Sequence, residues 1–157
     1  MTNDDDLLSA AVDATLTASR ALLGVVARSV APALEVVTLP QFRVLVLLSN
    51  NGPTRVGALA EQVGVVASTF SRSVDRMEAG GWIVRTHSRD NRREVLVELT
   101  PAGRELVATV TERRRRELRE ILLRLSPEER DALALALAIF NSAAGEPSVE
   151  ELLVLGL

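Results

Sequence analysis

Apolar residues return every three or four positions from Leu8 to Val30, through Val12, Leu22 and Val26 with Thr15 and Ser19 in line, and Leu16, Leu23 and Val25 lie on neighbouring faces. That period predicts one long helix ending before Pro32, and an apolar circumference so wide predicts burial on more than one side. Thr38 stands three before Gln41 with Pro40 between them, a capping-box spacing that predicts a second helix to about Ser49. Asn50-Asn51-Gly52-Pro53 breaks it, Thr54 is placed to cap a short helix from Arg55 to Gln62, and Gly64 turns the chain into the next helix. There, at 100° per residue, Phe70, Val74 and Met77 share one side, while Ser68, Thr69, Ser71, Arg72, Asp75 and Arg76 share the other. Gly80-Gly81 stops this helix by supplying a left-handed residue.

Period two follows. Trp82 to Thr86 is β-prone, and Glu94 to Leu99 alternates with Val95, Val97 and Leu99 on one side, so the pair predicts a hairpin whose tip is Ser88-Arg89-Asp90-Asn91-Arg92-Arg93. Thr100-Pro101 restarts helix from Ala102 to about Leu125. Within it Arg113 to Arg116 reads as a solvated face with i,i+4 partners such as Arg113/Glu117, except that Arg114 falls in line with Val107, Val110 and Leu118 and calls for a carboxylate partner. Ser126-Pro127-Glu128-Glu129 starts a last helix with Leu133, Leu137, Phe140 and Ala144 on one face. Gly145-Glu146-Pro147 ends it, and the apolar tail Leu152 to Leu157 needs a surface to dock on.

Two short helices joined by a tight glycine turn, the second polar outside, make a helix-turn-helix, and the hairpin adds a wing. Short hydroxyls can approach base edges, and guanidiniums pair bidentately with guanine or phosphate. Ser68, Thr69, Ser71 and Arg72 are therefore candidates for base contacts, Arg76 for phosphate, and Arg89, Arg92 and Arg93 for a narrow minor groove. Thr38 and Gln41 add candidate phosphate contacts at a helix start. The fold class expected is mainly α with a small β-hairpin wing.

Net charge changes the picture less than its distribution does. The chain carries −3 overall, yet residues 55–93 hold seven arginines against four acids, a basic head on an acidic body. A hydrophobic content of 47% in 157 residues points to apolar surface hidden in a partner. There is no cysteine, which excludes disulfides, zinc–thiolate sites and thiol redox sensing. With one histidine, His87, no tyrosine, no glycine-rich phosphate loop and no Gly-x-Ser-x-Gly elbow, no acid, base and nucleophile converge. We expect no enzyme, no catalytic residue, no cofactor and no metal. No uninterrupted apolar run reaches about 18 residues and no signal peptide is visible, so a soluble cytoplasmic chain without membrane contact is expected.

The short helix Val56-Gly57-Ala58-Leu59-Ala60-Glu61-Gln62, the Ser/Thr/Arg helix, "GGWIVR", "DNRR" and "VLVELTPAGREL" stand in the order and spacing of the MarR family of bacterial winged-helix regulators, which the chain resembles over about residues 7–145. The resemblance implies a homodimeric transcription factor, usually a repressor, reading near-palindromic double-stranded DNA. It implies dimerisation through residues 1–36 and 101–157 around a winged helix-turn-helix at 37–100. It also suggests a small aromatic effector in a crevice between reading head and dimerising helices, with Arg20, Phe42, Leu45 and Val46 as candidates from helix position. One departure is visible: Asn91 stands where the wing usually has Asp, with Asp90 one position early. The alternative is a winged-helix module that binds protein, or dimerises, without specific DNA recognition.

Overall fold

The computed structural model describes residues 2–87 and 95–145, with the side chains of 2, 3 and 67–69 outside the description. The expectations for Arg89, Arg92 and Arg93, for the side chains of Ser68 and Thr69, and for the tail Leu152 to Leu157 therefore lie outside the described residues.

The chain runs α1 (Thr2–Val30), a 3-10 turn (Ala33–Glu35), α2 (Leu39–Asn51), β1 (Thr54–Arg55), α3 (Val56–Val63), α4 (Ala67–Ala79), β2 (Ile83–His87), β3 (Val95–Leu99), α5 (Pro101–Leu122) and α6 (Pro127–Ala144). The capping signals hold. Thr38 and Gln41 close a capping box at the head of α2, Ser126 and Glu129 close another at α6, and the Thr100 hydroxyl accepts from the Gly103 amide at the start of α5. Two stops fall elsewhere than expected, since α2 continues to Asn51 and α5 ends at Leu122.

Thr54 does not cap α3. It is the first residue of a two-residue strand, its hydroxyl donates to the Gly52 carbonyl at 2.9 Å, and Arg55 occupies the N-cap without a side-chain cap. The three strands lie in the order β1-β3-β2, all antiparallel, with Thr54 opposite Val97 and Ile83 opposite Leu99. Val97 and Leu99 point into the core as the alternation predicts, and Val95 at the outer end of β3 is exposed.

The core sits among α2, α3, α4 and the three-stranded sheet. Leu45, Leu48, Leu59, Phe70, Val74, Met77, Ile83, Val97 and Leu99 form one buried cluster, which Val107 and Val110 of α5 and Val30 of α1 complete. A hydrogen-bonded node joins α4, the wing and α5. The Trp82 amide donates to the Met77 carbonyl at 3.0 Å, the Thr100 amide donates to the Trp82 carbonyl at 3.1 Å, and the Thr100 hydroxyl donates to the Gly81 carbonyl at 2.6 Å. The left-handed stop is Gly81, with φ 76°, while Gly80 remains right-handed. Gly103 is glycine for closeness: a Cβ there would lie 2.2 Å from the Trp82 carbonyl oxygen.

α1 packs on α5 only near its C-terminal end, where Val25, Ser29 and Val30 are buried. Within one chain Arg114 meets a hydroxyl: its Nε donates to Ser29 Oγ at 3.3 Å, while Ser29 Oγ donates to the Val26 carbonyl at 2.8 Å. Glu117, expected to pair with Arg113 along the helix, instead receives Arg28 of α1 at 2.9 Å. For Glu117 the neighbouring helix α1 thus supplies the partner in place of the i,i+4 arginine. The rest of α1 is exposed, including Leu8 at 65% and Leu23 at 66%, and no residue of α6 is buried. Residues 4–30, with a mean hydropathy of 1.3, are long and apolar enough by length and composition to cross a membrane. The expectation of no such segment thus holds only for a run uninterrupted by Asp13 and Arg20.

Candidate nucleic-acid interface

α4 follows α3 across Gly64, whose φ of 74° reverses the chain in a single left-handed residue. Phe70, Val74 and Met77 are buried and anchor α4 on the core, whereas Ser71, Arg72, Asp75 and Arg76 are exposed on the opposite side, as the periodicity predicts. Arg72 and Arg76 make no ion pair among the described residues, so both guanidiniums are available to an external anion. Ser71 already has an intramolecular interaction.

Arg85 behaves differently, and the sequence did not single it out. From β2 it reaches back across the Gly80-Gly81 turn to α4: Nη2 meets Asp75 Oδ1 at 2.5 Å, Nη1 donates to Glu78 Oε2, and its backbone amide donates to Glu78 Oε1 at 3.2 Å. The hydrogen bond that Arg85 donates to Asp75, with the charge of Glu78 added to it, raises the Arg85 pKa above the ordinary guanidinium value against the opposing effect of desolvation. Arg85 thus ties β2 to α4 and neutralises the charge of Asp75 and Glu78. Its signal in the sequence was a single arginine on a β-prone run, indistinguishable there from the arginines of the tip.

Thr38 and Gln41 are occupied with one another. The Gln41 side-chain oxygen accepts from the Thr38 amide at 2.8 Å and from its hydroxyl at 3.1 Å, so both side chains serve the α2 cap. The four effector candidates do not converge. Phe42 and Val46 face α5 and, with Arg104, Val107, Arg114 and Arg115, help to line a cavity of about 500 Å³. Leu45 is fully buried in the core, one helix face away, and Arg20 lies on α1 beside Asp13 and Thr17. Arg104, Arg114 and Arg115 were absent from the expectation because only the packing of α2 against α5 brings them to this opening. Among the described residues no group of three or more acids and histidines is arranged to hold a metal.

Comparison with known proteins places this geometry. The MarR family model matches residues 37–95, the stretch from the α2 cap to the start of β3. The HTH-type transcriptional regulator YfiV of Bacillus subtilis is 36% identical over 68% of this chain and 66% of its own length, so the chain spans just under two thirds of that curated relative. The crystal structure of Rv1404 from Mycobacterium tuberculosis is 44% identical, with a TM-score of 0.75 over 90% of this chain and 97% of that one. The transcriptional repressor CouR, solved bound to a 23-mer DNA duplex, is 30% identical with a TM-score of 0.52, over 81% of this chain and 89% of its own. A capped α2, a glycine-turned helix pair and a three-stranded wing, matched in both sequence and fold, make this chain a member of the MarR family of helix-turn-helix transcriptional regulators.

Proposed function

We propose that two copies of this chain bind one near-palindromic DNA site as a cytoplasmic transcriptional repressor, with residues 37–100 reading DNA and residues 1–36 and 101–157 joining the copies. The observation that carries this reading is that Arg72 and Arg76, which make no ion pair among the described residues, stand on the exposed side of α4, whose other side is locked into the core. Ser68, Thr69, Ser71 and Arg72 take base edges, Arg76 takes phosphate, and Arg89, Arg92 and Arg93 take the flanking minor groove. Thr38 and Gln41 add their exposed helix start to the phosphate contacts. The DNA-bound CouR structure supports the same partner for this chain.

Dimerisation accounts for the uncovered apolar faces of α1 and α6. Asp13, Arg20 and Arg28 would be costly in a lipid interior and cost little at the edge of a protein interface, which favours a second copy over a membrane as the cover of α1. A small aromatic acid fits the cavity between α2 and α5, its ring on Phe42 and Val46 and its carboxylate near Arg104, Arg114 or Arg115. Occupation of this cavity would alter how the head sits on α5 and so the spacing of two heads, relieving repression.

A mobility-shift titration with DNA upstream of the gene for this chain, repeated across a salt series, tests the reading. A specific site retained over random competitor, with affinity falling steeply as salt rises, is the expected result. Equal binding to every sequence, or none, would favour a protein-binding module. Arg72→Ala should relax sequence preference by about 1–3 kcal/mol, and Arg93→Ala should weaken binding to all sequences evenly.

A further inference from the structure

Exposed large apolar side chains fall mostly on α1, on α6 and around the turn into α2. Val65 and Val66 stand apart from these, between α3 and α4 in the helix-turn-helix itself. Val66 is 71% exposed, the highest value for any large apolar side chain among the described residues. It is also the N-cap of α4, with extended φ −69° and ψ 131° and no side-chain cap hydrogen bond. That position ordinarily takes Ser, Thr, Asp or Asn, and an aliphatic residue there forgoes the stabilisation a polar cap gives. A β-branched apolar residue that neither caps its helix nor packs in the core breaks a local rule without a folding benefit, which is the pattern expected at a functional position.

What an apolar side chain can meet at the head of a recognition helix is narrow. The N-terminal residues of such a helix are those that approach base edges, and the apolar group displayed in the major groove of unmodified DNA is the 5-methyl of thymine. The exposed polar face of α4 cannot read that methyl by hydrogen bonding, so Val66 adds a kind of discrimination that Arg72 does not. Resting on the DNA-binding reading above, we propose that Val66 is a specificity-determining residue that packs against a thymine methyl in each half-site, with Val65 shielding the same contact from water.

The test uses the full-length chain and duplexes selected by it from a random library. Each thymine of the selected half-site is replaced in turn by deoxyuridine, which removes the methyl and leaves base pairing unchanged, and binding is read by fluorescence anisotropy. Wild-type protein should lose about fourfold in affinity at one thymine per half-site, the worth of one buried methyl group. Val66→Ser should bind the thymine and deoxyuridine duplexes equally, and its thermal melt should not fall, because serine is a better cap than valine. Loss of affinity with deoxyuridine that persists undiminished in Val66→Ser, or a wild-type protein indifferent to every replacement, overturns the assignment to Val66 while leaving the regulator reading intact. Failure to select any preferred sequence overturns both.

Discussion

α4 buries one side along its length while α1 is buried only near its C-terminal end, and the two differ also in what they expose. On α4 the outward residues are Ser71, Arg72, Asp75 and Arg76, and every large apolar residue of its C-terminal part is inside. On α1 the outward residues include Leu7, Leu8, Val12, Leu16 and Leu23, and α6 repeats the pattern with Leu135, Ile139 and Phe140. A single chain therefore completes its reading head and leaves its arms unfinished. The head finds its whole core within one chain, with Val30, Val107 and Val110 closing it from the near ends of the arms, whereas the far parts of the arms expose hydrocarbon that calls for another surface.

The strongest way to break that contrast is to charge the arms. Leu16→Asp combined with Leu23→Asp should give a monomer by light scattering with the head still folded, and DNA affinity should fall by at least about 100-fold as the second head is lost. An unchanged mass would move the interface away from this face of α1. Truncation inside the head comes next: Met77→Ala, at a fully buried site, should cost about 2–5 kcal/mol in urea unfolding at any protein concentration. Leu23→Ala should show its cost chiefly as a stronger dependence of melting on concentration. If the two truncations behave alike, head and arms are not separate in the way described.

Gly103→Ala probes the seam between the regions. Its Cβ would press on the Trp82 carbonyl, a backbone atom already held by the Thr100 amide, so a loss of about 1–3 kcal/mol in thermal unfolding is expected. The smallest effect belongs to the helix start in the arm. Ser126→Ala opens the α6 capping box and should cost about 1 kcal/mol, with the DNA preference unaltered.

Several of these elements could be read before any fold was known. Thr38 with Gln41, Thr100 with Pro101 and Ser126 with Glu129 announce their helices because a cap is a contact between residues three apart. Phe70, Val74 and Met77 face inward for the same local reason. β1 escaped notice because two residues have no period to detect, and Thr54, a good cap by composition, was taken by the sheet. The effector candidates scattered because helix position alone cannot say that Leu45 turns into the core while Phe42 and Val46 turn towards α5.

The order of the helices and of the two wing strands, the two capping boxes, the polar outer face of α4 and family membership were all determined by the sequence, since each depends on residues within a turn or two of one another or on motifs in a fixed order. Only the tertiary structure decided which charges remain free. Nothing local in the sequence marks Arg85 or Arg28 as engaged and Arg72 or Arg76 as not, yet Arg85 is held by Asp75 with Glu78 and Arg28 by Glu117, while Arg72 and Arg76 make no ion pair among the described residues. The reason is range: an ion pair is set by which elements pack together, and Ser29 and Arg114 meet across 85 positions of chain that no local pattern can see.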